Sequence, residues 1–222
     1  MRSSTYGRPG GVLTAALVCL ALAAPAAFAV MDQPDQPAGN DAPAAAANPE
    51  AQAALDAGIA SLKDAEGLEA GSVGTKLSPE LKGVYTRART QFEQATKADA
   101  TLAAAWNGLG YSQRKLGDYK AALVSYGRAL ALKSDYADAI EYRGEAYLSL
   151  GRIEDAKQAY LDLFASHRSH ADKLLESMKQ WIAGPGKGKA AGADLAEFVE
   201  ERAKIAAQTA ALTREGASAG WR

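Results

Sequence analysis

The sequence repeats itself at a spacing of 34 residues, and that period restricts the fold more than any other property of the chain. Stretches beginning at Gly83, Gly117 and Gly151 align without gaps. Ala88, Ala122 and Ala156 form a column of small residues, and Phe92, Tyr126 and Tyr160 form an aromatic column after it. Tyr85, Tyr119 and Ile153 make a hydrophobic column, Trp106 aligns with Ile140, and Gly110 aligns with Gly144. The units read as helix, with no run of alternating Val, Ile and Thr that would mark a strand. A unit of this length cannot bury its own apolar faces, so its core must come from stacking on its neighbours.

The residues Trp106, Leu109 and Gly110 reproduce a "W..LG" pattern, Gly117 falls at a turn, and Ala122, Tyr126 and Ala129 follow on a second helix. Together with the period, these residues resemble the tetratricopeptide repeat family, over 103–136 and again over 137–170, where Gly144, Gly151, Ala156 and Tyr160 hold the matching positions. One departure is Ser134, which stands where the family usually has a proline after the second helix. The resemblance implies an all-α fold, a right-handed α-solenoid of about three helical hairpins plus a C-terminal capping helix. On that reading Gly117 and Gly151 end first helices in a left-handed backbone conformation. Gly110, Ala122 and Ala129 are small because two helices approach closely there, and Trp106, Leu109, Tyr119 and Tyr126 fill the remaining volume.

The flanks are less regular. Residues 51–102 read as an irregular first repeat. A helix carrying Leu55, Ile59 and Leu62 is followed by the loop "GSVGTKLS" and by a second helix opened by Ser78, Pro79 and Glu80. Residues 171–183 read as a further first helix, ended by "GPGKGK". Residues 194–215 read as the capping helix, started by a capping-box pair, Asp194 and Glu197, with 216–222 as a flexible tail.

The solenoid does not occupy the whole chain. Residues 1–29 have a basic start, an apolar run and the ending Ala27-Phe28-Ala29, the pattern of a secretory signal peptide cut after Ala29. The expected location is therefore periplasmic or secreted. Residues 30–50, rich in Pro and Ala, read as a disordered spacer. Cys19, the only cysteine, lies inside the leader, so the remaining chain relies on packing rather than disulfides. Two of the 25 basic residues, Arg2 and Arg8, also belong to the leader, which leaves 23 against 26 acidic ones. That balance gives no reason to expect nucleic acid as a partner. No long apolar run follows Ala29, so no stable membrane insertion is expected after cleavage.

Little in the sequence suggests catalysis. His167 and His170 are read as a solvated turn between repeats rather than as metal ligands, for no cysteine and only Asp172 lies near them. "GPGKGK" lacks the spacing of a phosphate-binding loop, and no strand precedes it. Paired carboxylates such as Glu154-Asp155 and Glu200-Glu201 sit on amphipathic helices as solvated faces. No Ser-His-Asp or Cys-His arrangement can be assembled, and no metal or cofactor is expected. In the family the first helix of each hairpin lines a concave groove. By position this implies a partner-binding face of Asn107, Tyr111, Arg114, Lys115, Glu141, Tyr142, Glu145 and Lys179. Asp138 and Tyr142 stand where a terminal-carboxylate clamp would need basic groups, so that activity is not expected. The expected function is a non-catalytic protein- or peptide-binding scaffold or assembly factor of the cell envelope. The alternatives are a permanent structural subunit of an envelope complex or, less favoured, a small-ligand receptor or enzyme.

Overall fold

Helix punctuation in the sequence sets where each element stops. In the structure, a computed structural model that describes residues 48–70 and 77–218, α3 (Ala103–Lys115) and α5 (Ala137–Ser149) end in the same way. Gly117 and Gly151 adopt φ of 86° and 71°, a conformation that glycine adopts without steric cost. The reversed chain then satisfies the last carbonyls. Asp118 N donates to Gln113 O at 2.8 Å and Gly117 N to Arg114 O at 3.0 Å, and Arg152 and Gly151 repeat the pattern on Tyr147 and Leu148. This glycine-terminated cap turns each first helix directly into its second, α4 (Tyr119–Leu132) and α6 (Ile153–Ser166). Where the family would place a proline, α4 ends without one, and Lys133 N closes its last turn on Ala129 O.

The first hairpin pairs α1 (Pro49–Ala70) with α2 (Pro79–Ala98). Pro79 opens α2, and the Ser78 hydroxyl caps it by accepting from Leu81 N at 3.1 Å. α1 begins before the spacer was expected to end. Asn48 Oδ1 accepts from Glu50 N, and its Nδ2 donates to Ala98 O at the end of α2, so the cap also ties the hairpin together. The leader, most of the spacer and 71–76 lie outside the described residues.

Two further boundaries differ from the sequence reading. α7 is Arg168–Ala183 rather than 171–183, which moves His170 out of the connection and into its first turn. α8 is Ala190–Ser218 rather than 194–215, because the alanines before Asp194 are strong helix formers and join the helix. Asp194 is therefore interior to α8, where it pairs with Lys157 of α6 at 2.6 Å instead of capping.

The core follows the repeat columns. Tyr85, Tyr126, Tyr160 and Phe92 are fully buried, as are Ala88, Ala122, Ala129 and Ala156. A Cβ on Gly110 would lie 2.7 Å from the Tyr126 ring, so the ring occupies the space that a side chain there would need. Gly108, which the repeat pattern does not single out, does the same for Phe92. Among the described helices every contact joins an element to the next one or the next but one. None of these helices is long and apolar enough to cross a membrane.

Candidate functional site

The first helices α1, α3, α5 and α7 touch in sequence, whereas no two of α2, α4 and α6 are in contact. From α1 to α6, contact along one side and separation along the other bend the stack, and the first helices form its inner surface. On α3, Tyr111, Arg114 and Lys115 are three and four residues apart and so share one face. α5 presents Tyr142 and Glu145 to them, and α7 presents Ser177 and Trp181.

These side chains form a continuous polar and aromatic ladder. Tyr111 and Tyr142 meet edge to face with centroids 5.0 Å apart, and Tyr85 stands 6.3 Å on the other side of Tyr111. Arg114 Nη1 lies 2.6 Å from Glu145 Oε2, and its Cζ is 5.1 Å from the centroids of both Tyr111 and Tyr142. The other Glu145 oxygen accepts from Ser177 Oγ at 2.7 Å. Burial opposes the charge on Arg114, but Glu145 overcomes that and pushes the guanidinium further toward its protonated form. At the other end, Lys115 Nζ is 2.7 Å from Glu69 Oε1, and the Tyr85 hydroxyl donates to the same oxygen at 2.8 Å. Burial raises the Glu69 carboxyl, but the hydrogen bonds from Lys115 and Tyr85 outweigh it and leave the group below the usual carboxylate range. Burial and the Glu69 carboxylate both raise the Tyr85 hydroxyl.

Of the residues expected to line the groove, Tyr111, Arg114, Lys115, Tyr142 and Glu145 come together on this surface, all half-buried. Lys179 is exposed and pairs with Glu176 at 3.3 Å. Asn107 Oδ1 is buried without a hydrogen-bond partner among the described residues. Glu141 does not line open space: it is 4 % exposed, because His170 of α7 covers it with Nδ1 at 2.6 Å from Oε2. Burial pushes the Glu141 carboxyl up, against the opposing pull of His170 and Lys173. His170 is thus a tie between α5 and α7 and not part of a solvated turn. Among the described residues no group of three or more His, Cys, Asp or Glu could hold a metal ion.

Glu69, Tyr85, Ser177 and Trp181 belong to the surface without having been expected there. Glu69 lies in the irregular first repeat, where no register relates it to α3, and Ser177 has no chemical likeness to its counterpart Arg143 one period earlier. Trp181 borders a cleft of about 280 Å³ between α3, α5 and α7, whose walls include Arg114, Glu145, Leu148, Ser177 and Gln180. The surface is charge-compensated: Arg114 and Lys115 each face a carboxylate and lie over aromatic rings. Such a surface can hold an extended segment through ring faces and hydrogen bonds.

Residues 103–136, which contain α3 and α4, match the profile of the tetratricopeptide repeat. Among solved structures the chain is similar to the first TPR of Spaghetti (RPAP3) bound to the HSP90 peptide SRMEEVD, at 19% identity, covering 62% of this chain and 96% of that one with a TM-score of 0.49. It is similar to MamA at 20% identity, covering 71% and 81% with a TM-score of 0.49. It is also similar to the first TPR domain of human RPAP3 at 18% identity, covering 61% and 97% with a TM-score of 0.46. A comparison with curated protein sequences gave no match.

Proposed function

We propose that this chain is a non-catalytic scaffold of the cell envelope that binds a protein or peptide along the inner surface of its first helices. The observation that carries the reading is the ladder of Tyr111, Tyr142, Arg114 and Glu145 running from α3 to α5 and ending at the cleft beside Trp181. Half-buried tyrosines with an arginine fixed between them suit recognition, because a rigid ring and a preorganised guanidinium lose little freedom on binding. The tetratricopeptide repeat over 103–136 supports the same reading, since that family serves protein interaction. The envelope location rests on the signal-peptide pattern of residues 1–29.

The test is affinity capture from envelope extract with quantitative mass spectrometry. The wild type is compared with a Tyr111→Ala, Tyr142→Ala double variant whose helicity is verified by circular dichroism. A protein enriched by the wild type and lost with the double variant is the expected result. Equal capture by both would move recognition off the inner surface. Mass spectrometry of the protein recovered from its host gives the second readout: a mature N-terminus at Val30 is expected, and an intact Met1 would refute the exported location.

A further inference from the structure

We propose a second interaction surface on the outer side of the stack, the exposed ridge of α4, and infer that it docks an amphipathic helix of another protein whose apolar stripe is flanked by acidic residues. Lys120, Val124, Arg128 and Leu132 succeed one another at four-residue steps and so form a single ridge along α4. Val124 is 65% exposed and Leu132 is 46% exposed. Isolated surface hydrophobics are ordinary, but these two lie on one line, and Leu132 borders an apolar slot. The slot, of about 320 Å³, is walled by Ala100, Trp106, Arg128, Ala131 and Leu132.

The repeat supplies an internal control. One period away the ridge reads Thr86, Thr90, Gln94 and Ala98 on α2, and Glu154, Gln158, Asp162 and Ser166 on α6. Stacking alone is therefore compatible with a polar ridge, and the apolar one belongs to α4. Gly127 shapes the same ridge. It sits inside α4, where glycine costs about 1 kcal/mol relative to alanine, and nothing lies within 4 Å of the place its Cβ would take. Gly108, Gly110 and Gly144 each accommodate a side chain of this protein, whereas Gly127, like Gly67 of α1 and Gly83 of α2, faces open space. With Ala131 one turn further on, it leaves a shallow trough that lets another helix approach closely.

Charge selects the occupant. α4 contains no acidic residue, and among the described residues neither Lys120 nor Arg128 has an ion-pair partner. A second copy laid α4 against α4 would set cation against cation with no carboxylate from either helix. A partner helix with Asp or Glu flanking its apolar stripe would answer both cations and place one large apolar side chain in the slot beside Trp106.

The test uses the full chain and two synthetic helical peptides that share one leucine stripe, flanked in one by Glu and in the other by Lys, with binding read by fluorescence anisotropy. The Glu peptide is expected to bind at least about tenfold more tightly than the Lys peptide, Val124→Glu to weaken it by about tenfold or more, and Arg128→Glu to invert the preference. Val124 and Arg128 are exposed, so both variants retain the fold, and circular dichroism verifies it. Equal affinity for the two peptides, or unchanged binding to Val124→Glu, overturns the proposal. Loss of binding on Tyr142→Ala but not on Val124→Glu also overturns it, because the peptide would then occupy the inner surface. Sedimentation of the protein alone provides the remaining arm: a dimer that Val124→Glu dissolves would make the occupant a second copy.

Discussion

The seams between successive first helices are built differently at the two ends of the stack. Between α1 and α3 the helices barely touch, because the Phe92 ring of α2 is inserted between them, with Gly58 on one side and Gly108 on the other. Between α5 and α7 the side chain against the glycine is aliphatic. Gly144 lets Leu174 of α7 rest directly on α5, and the helices pack face to face. The polar links differ in the same sense. Glu69 bridges the open seam from a partly hydrated position and is held ionised by Lys115. Glu141 bridges the closed seam from a buried position, where burial works against its charge. One arrangement of helices therefore admits two solutions, a wedge with a partly hydrated ion pair and a direct contact with a buried carboxyl held against a histidine.

The wedge gives the largest expected effect. A side chain at Gly108 meets a ring that cannot retreat, since Gly58 and the helix behind it close the other side. Gly108→Ala should lower stability by about 3 kcal/mol, measured by urea denaturation. At Gly144 the nearest atoms are the methyl ends of Leu174, which can rotate, with the Ala159 Cβ further off at 3.3 Å, and alanine has the better helix propensity. Gly144→Ala should stay within about 1 kcal/mol of wild type. Equal losses at the two sites would erase the distinction between wedge and direct contact.

Next in size, His170→Ala leaves the buried Glu141 carboxylate without its 2.6 Å partner and should cost about 2 kcal/mol. Lys115→Met at the open seam leaves Glu69 in reach of water and should cost no more than about 1 kcal/mol. The two carboxylates should also respond to acid with opposite signs. The Glu141 carboxyl is raised on folding, so it favours the folded state below its ordinary range and loses that contribution as pH rises through the raised value. His170, Glu145 and Lys173 act on the same group, and Asp138 lies 3.8 Å from His170 Nδ1. The Glu69 carboxyl is lowered, so its contribution is present above the ordinary range and is lost as pH falls. Thermal melts across the acid range should therefore show Glu141→Gln removing a decline with rising pH, while Lys115→Met removes a decline with falling pH. Parallel shifts in both variants would mean that the two seams share one electrostatic environment.

The repeat columns and turn glycines were legible in the sequence because the same backbone problem recurs every 34 residues and receives the same answer. Tyr126 on Gly110 is such a case, since both residues lie within one period. Gly58 was not legible, because it lies across the irregular connection of the first repeat, where counting by the period fails. The Glu141–His170 tie joins residues 29 apart and depends on α7 beginning at Arg168, which no capping residue announces. The start of α8 was missed for a related reason: Ala190 and Ala191 carry no pattern, and their propensity shows only once a helix follows them. In the candidate site, Tyr111, Arg114, Tyr142 and Glu145 could be placed by register. Their partners Glu69 and Ser177 could not, because a register indicates which helix face a residue occupies and not which neighbour its side chain reaches.

Because each described helix contacts only the next two along the chain, no closing contact locks the described residues. News of a local melt at α1 reaches α7 only by passing through every unit between them. The termini should therefore peel before the middle, and hydrogen exchange should slow toward α3, α4 and α5 from both directions. Perturbations at opposite ends should add independently. The α3–α5 part of the inner surface and the ridge of α4 would then be the last to lose their order.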